Sequence, residues 1–99
     1  MYIYNVTINV DSASHDEWLK WMQEFHIPEV MKTGCFIDQR MLKVLNVEDE
    51  GTTYSVQYTF LNMSDMEEYK QKYAPALQKQ TIHKFKDKFV AFRTLLEII

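Results

Sequence analysis

A chain of 99 residues with 46% apolar and 25% charged side chains has room for one ordinary hydrophobic core, so a single domain over residues 1–99 is expected, and disordered or fibrous classes are excluded. A formal charge of -3 argues against gripping a phosphate backbone, which needs concentrated Lys and Arg, so no nucleic-acid partner is expected. The single cysteine, Cys35, excludes an internal disulfide, and no window approaches the ~20 apolar residues of a membrane span. The start Met1-Tyr2-Ile3-Tyr4-Asn5 lacks the basic and apolar stretches of a signal peptide, so a cytoplasmic location without membrane attachment is expected.

From Tyr2 to Val10 the residues alternate, with Tyr2, Tyr4, Val6, Ile8 and Val10 on one side and Ile3, Asn5, Thr7 and Asn9 on the other, which predicts a strand. Ser14 and Glu17 have capping-box spacing and predict a helix start. Trp18, Met22 and Phe25 then recur at helical spacing with Trp21 beside them, while Lys20, Gln23 and Glu24 fall opposite. Pro28 lacks a backbone donor and restricts Ile27, so the helix is expected to break at His26-Ile27 and restart as a short turn ending at Gly34.

Cys35 to Leu45 reads as a second strand, Glu48-Asp49-Glu50-Gly51 as a turn, and Thr53 to Leu61 as a third strand completing a hairpin. The pattern then repeats. Ser64 with Glu67 offers another capping box, Met66, Tyr69 and Tyr73 form an apolar stripe, and Pro75 interrupts it as Pro28 does the first. In this weak internal repeat His26-Ile27-Pro28 corresponds to Tyr73-Ala74-Pro75. The basic residues between Lys79 and Lys88 read as a solvated helix face, and Phe89 to Ile99 as a fourth strand.

The order β-α-β-β-α-β predicts an α+β, ferredoxin-like fold: a four-stranded antiparallel sheet with two helices on one face. The other face has nothing in the chain to cover it, and the second and fourth strands become edges. The fourth carries Phe89, Val90, Ala91, Phe92, Leu95, Leu96, Ile98 and Ile99 against two charges, Arg93 and Glu97. Exposed apolar edges invite pairing, so a homodimer is expected.

Tyr4-Asn5-Val6-Thr7, Trp18 and Trp21 followed by His26-Ile27-Pro28-Glu29-Val30, Thr33-Gly34-Cys35-Phe36, Tyr54-Ser55-Val56-Gln57-Tyr58, Ala74-Pro75-Ala76-Leu77 and Phe89-Val90-Ala91-Phe92-Arg93-Thr94 occur in this order. Across nearly its whole length the chain thereby resembles a family of short bacterial proteins known as domain of unknown function 4286. The resemblance implies a dimeric α/β-barrel, in which two ferredoxin-like sheets pack face to face, and implies no activity. More distantly the chain is similar to antibiotic-biosynthesis monooxygenases and haem-degrading enzymes of the same architecture. Asn5 is reminiscent of the latter, but the second helix has no Trp to complete their constellation, so haem chemistry is not expected.

His26 is the candidate catalytic group, since imidazole exchanges protons near neutral pH; at a helix end the terminal carbonyls would favour its charged form, and the blander reading, in which it caps that end or hydrogen-bonds the loop, is the commoner one for a lone His. Asn5, Thr7 and Asn9 share one side of the first strand, and Ser55, Gln57 and Thr59 one side of the third. If the tyrosine and valine sets lie under the helices, this polar set lines a subunit interface away from His26. In the opposite register Asn5 and His26 share a pocket beside Trp21. Arg93, whose planar fork suits a carboxylate, completes the candidate ligand-binding set of Asn5, Trp21, His26, Gln57 and Arg93. His15, His26 and His83 lack metal-binding spacing, and two glycines make no phosphate loop, so neither metal nor cofactor is expected. The leading expectation is a homodimer that binds or senses a small molecule. A cofactor-free monooxygenase or isomerase using His26 and Arg93 is the first alternative, and a structural dimer or protein-interaction module the second.

Overall fold

The computed structural model describes residues 1–45 and 50–99. Strand β1 (Tyr2–Val10) leads through a short 3-10 turn into helical segments α1 (His15–Trp21) and α2 (Ile27–Lys32). Strands β2 (Asp38–Lys43) and β3 (Thr52–Phe60) follow, then helical segments α3 (Met63–Glu68) and α4 (Ala74–Lys84) and strand β4 (Phe89–Glu97). The strands form one antiparallel sheet in the order β2-β3-β1-β4, which places β2 and β4 at the edges as the sequence predicts. This is the ferredoxin-like arrangement.

Alternation decides which face meets the helices. Tyr4, Ile8 and Val10 of β1 and Tyr54, Val56, Tyr58 and Phe60 of β3 are buried in one cluster with Trp18, Met22, Ile27, Val30, Met66, Tyr69 and Ala74 from the helical layer. Asn5, Thr7 and Asn9 therefore point to the open face, with Ser55 and Gln57 beside them. Their polar groups satisfy one another: Ser55 Oγ donates to Asn5 Oδ1 at 2.6 Å, Asn5 Nδ2 to Thr7 Oγ1 at 3.0 Å, and Gln57 Nε2 to Ser55 Oγ at 3.2 Å.

The expected break at His26-Ile27 does not occur. Met22–His26 forms a π turn that joins α1 to α2 without leaving helical angles, and Tyr69–Tyr73 forms a second between α3 and α4, in which Tyr73 departs from them at φ -121, ψ -40. In each, a backbone N–H reaches five residues back, Ile27 to the Met22 carbonyl and Ala74 to that of Tyr69, immediately before a proline that has no N–H to give. The wide turn absorbs the missing donor, so Pro28 and Pro75 sit in the first turns of α2 and α4. The two halves correspond at this point as the repeat predicts. The turn also corrects the apolar stripe. After Met22 the next core position is Ile27, five residues on, which leaves Phe25 42% exposed.

The caps differ as well. Ser14 precedes α1 but its side chain caps nothing, and α3 starts two residues earlier than Ser64 suggests. Its N-cap is Asn62, whose N–H donates to the Asp65 carboxylate at 3.2 Å while Asp65 N–H donates back to the Asn62 carbonyl at 3.0 Å. Strand β2 is shorter than Cys35–Leu45 because Cys35 and Phe36 turn into the core, and its regular pairing with β3 runs over Asp38–Lys43. Strand β4 ends at Glu97 rather than Ile99, and Ile98 N–H donates to the Met1 carbonyl at 2.9 Å. Glu48 and Asp49 of the expected turn lie outside the described residues; Gly51 lies within them and takes φ +79, with the Val10 carbonyl so close that a Cβ would collide with it.

Candidate functional site

Between the helical layer and the β1/β4 half of the sheet lies a cavity of about 220 Å³. Its inner wall is largely apolar, built by Val6, Ile8 and Val56 from the sheet and by Met22 and Val30 from the helices; its polar groups are His26, Thr81, Gln78, Arg93 and the tyrosines Tyr4, Tyr58 and Tyr69. His26 is the last residue of the first π turn and lies four residues after the buried Met22, on the helix face that looks at the sheet. Arg93 reaches it because it opposes Val6 in the β1–β4 register, which puts its side chain on the helix side of the edge strand.

The imidazole of His26 is held between aromatic and polar neighbours. Trp21 stacks on it at 5.0 Å and is itself backed by Phe85 at 5.4 Å. Burial is the first cause, and the Arg93 charge the second, that depresses the His26 pKa to about 4, so the ring is neutral at physiological pH. Thr81 Oγ1 donates its single proton to the Leu77 carbonyl at 3.1 Å, leaving a lone pair toward His26 Nδ1 at 3.5 Å. A proton on Nδ1 fits that contact and leaves Nε2 with a lone pair.

Arg93 Nε donates to Tyr4 Oη at 3.0 Å, and Gln78 faces the same hydroxyl. Burial raises the Tyr4 pKa while the guanidinium pulls it back, so the phenol stays protonated and steers the guanidinium without neutralising it. Tyr69 and Tyr58 are likewise pushed up by burial, and no phenolate balances the cation. Among the described residues no carboxylate lies within salt-bridge distance of Arg93. The cavity thus presents one uncompensated positive charge at its mouth, a neutral imidazole inside, and an apolar wall opposite.

Of the five residues picked from the sequence, His26, Trp21 and Arg93 come together, Trp21 as the support behind His26. Asn5 and Gln57 do not join them. They lie across the sheet on the open face, where Arg40 Nε donates to Gln57 Oε1 at 3.2 Å, so a pocket shared by Asn5 and His26 is ruled out by the register. His26 is also not at a helix end, and terminal carbonyls do not favour its charged form; the cavity imposes the opposite. Sequence reasoning missed Tyr4, Gln78 and Thr81. The spacing of Gln78 and Thr81 puts them on one face of α4, but only the packing shows that this face looks at the sheet.

Elsewhere, His15 Nε2 lies 2.7 Å from Tyr54 Oη and its Nδ1 2.8 Å from Asp16 Oδ1, outside the cavity. Among the described residues no helix is long and apolar enough to cross a membrane, and no three His, Cys, Asp or Glu side chains are grouped to hold a metal ion.

The family model described as "Domain of unknown function (DUF4286)" matches residues 1–99. No curated protein matches. Several solved structures share the fold at low identity. HapK from Hahella chejuensis is 11% identical with a TM-score of 0.73 over 100% of this chain and 93% of that one. A variant of MhuD, solved with two manganese protoporphyrin IX bound per active site, is 16% identical with a TM-score of 0.69 over 100% and 95%. A dimeric ferredoxin-like protein from an uncultured marine organism is 14% identical with a TM-score of 0.58 over 99% and 96%. At such identities the likeness establishes the fold alone.

Proposed function

This chain belongs to the DUF4286 family, whose description assigns no activity, and from the geometry of the site we propose that it is a homodimer that binds a small anionic molecule in the cavity beneath its helices. The observation that carries this reading is the Arg93 guanidinium. It is oriented by Tyr4, faces an apolar cavity, and has no carboxylate partner among the described residues. A planar cation in that setting favours a carboxylate or similar anion with an apolar body. The cavity is smaller than the ~300 Å³ at which ordinary ligand sites begin, which points to a compact ligand or to one that reaches beyond it.

Dimerisation is supported by the open sheet face. Val90, Phe92 and Leu96 of β4 stand on it at 70%, 64% and 40% exposure, around the polar network of Asn5, Ser55 and Gln57. A second copy covers this face by two-fold symmetry, as the dimeric neighbour of the same fold suggests. Asn5 and Gln57 then belong to the interface and not to the ligand site.

One observation favours catalysis as a second reading: His26 and Arg93 line the same cavity. A neutral imidazole is a weak base while its pKa stays near 4, but an anion docked on Arg93 offsets the charge that helps depress it. In that reading Arg93 holds an anionic substrate and His26 accepts a proton from it, in a cofactor-free isomerisation or oxygenation.

Calorimetric titration with 2-naphthylacetate compares wild type with Arg93→Met, which keeps the stem and removes the charge. Loss of about tenfold or more in affinity, with unchanged near-ultraviolet circular dichroism, is expected for a charge-assisted contact. Equal affinity in both proteins refutes the assignment.

A further inference from the structure

Arg93, Tyr4 and Gln78 line a second cavity as well as the first. On the far side of this trio lies a space of about 230 Å³, bounded by Met66, Lys70 and Ala74 from the helices and by Leu95 from β4. Lys70, Ala74 and Gln78 follow one another at helical spacing through the π turn and into α4, so they form one wall running along the edge strand. The floor changes along that wall, from Ala91 and Phe89 at the His26 end to Leu95 at the Met66 end. Arg93 stands at the waist, its Nε fixed on Tyr4 Oη.

We infer that the two cavities are halves of one ligand groove, and that the ligand is a branched carboxylate whose charge sits on Arg93 at the branch point. One limb, flat and apolar, enters the cavity lined by Met22, Val30 and His26; the other, shorter, enters the space between Met66, Ala74 and Leu95. This inference rests on the reading of Arg93 as an anion site and adds where the rest of the ligand goes. Three features carry it. The first cavity alone is undersized for a ligand site, whereas the pair is not. The cation lies between them and not at an end. Buried apolar side chains, Met66 at 1% and Ala74 at 6% exposure, line the second space beside the exposed Lys70 and Thr94, and their apolar surface suits a short hydrocarbon limb.

The test compares two probes by titration calorimetry: 2-naphthylacetate, which has one limb, and 2-(2-naphthyl)pentanoate, which adds a propyl limb at the carbon bearing the carboxylate. Wild type is expected to bind the branched probe about tenfold more tightly, a conservative share of the gain from burying three carbons. Leu95→Trp fills the second space from an exposed position, and Leu95→Phe does so more gently; either should erase the gain while leaving the one-limbed probe within about twofold. Ile82→Trp, also from an exposed position, narrows the first cavity and should weaken both probes. Equal affinity of wild type for the two probes, or a gain that survives both Leu95 variants, overturns the groove while leaving the Arg93 site standing. Failure of wild type to bind either probe overturns both.

Discussion

Replacing His26 by Gln should flatten the acid side of the stability profile. In the folded chain His26 has a pKa of about 4, against 6.5 for an unhindered imidazole, with burial as the first cause and the Arg93 charge as the second. Between these two values the unfolded chain holds a proton on this side chain that the folded chain does not, so folding is favoured as pH rises through the window and disfavoured as it falls. The stabilisation is fully present above pH 6.5 and is lost on descending toward pH 4. Linkage gives about 3 kcal/mol for the whole shift and about 2 kcal/mol already lost at pH 5. Urea unfolding of wild type and His26→Gln at one fixed protomer concentration, from pH 4.5 to 7.5, measures this directly, since taking the difference between the two curves cancels the carboxylates they share. The difference should grow with pH and level off near neutrality. A flat difference across the window refutes the buried, neutral imidazole. In the Arg93→Met background the His26 pKa should rise but remain below 6.5, because burial persists when the charge is gone.

Phe92→Glu places a carboxylate on the open sheet face, and light scattering should then report the 11.9 kDa of one chain in place of a dimer. Gly51→Ala should be far more damaging than Gly34→Ala: both residues have positive φ, but a Cβ at Gly51 would collide with the Val10 carbonyl, whereas at Gly34 it meets nothing within 4 Å. Thermal melts of the two variants should show a cost of about 1–2 kcal/mol for Gly34→Ala and a clearly larger one for Gly51→Ala. Asp65→Ala should cost about 1 kcal/mol in urea unfolding while Ser64→Ala stays within about 0.5 kcal/mol, because the Asp65 carboxylate accepts the Asn62 N–H at the start of α3 and Ser64 takes no part in that cap.

Element order and strand edges were legible from period-two alternation in Tyr2–Val10 and Thr52–Phe60, but alternation left open which side of β1 and β3 faces the helices, and the fold settles it by burying the tyrosines and valines. That alternation could not say which polar residues share a site. Asn5 and Arg93 both belong to strands of the same half-sheet, and only the pairing of Val6 with Arg93 and of Asn5 with Thr94 shows that they face opposite ways. Capping spacing misled for a related reason. Ser-x-x-Glu occurs at Ser64, but Asn62 lies closer to the end of β3 and its carbonyl and N–H are already engaged by Asp65.

The position of His26 was hidden for a different reason. A proline inside a helical pattern can end the helix or be absorbed by widening one turn, and the local sequence does not choose between them. Here tertiary packing chooses. Ile27 and Val30 beyond the first π turn, and Ala74 beyond the second, sit against the sheet, so a break at either proline would strip apolar residues from the core. The five-residue turn keeps the helix together, with His26 at its last position lining the cavity and Phe25 at the surface. In the second half Ala74, the residue after the same turn, is buried and lines the second space with Gln78. The repeated proline therefore marks a wide turn beside the site in each half, a backbone geometry that residue spacing alone does not display.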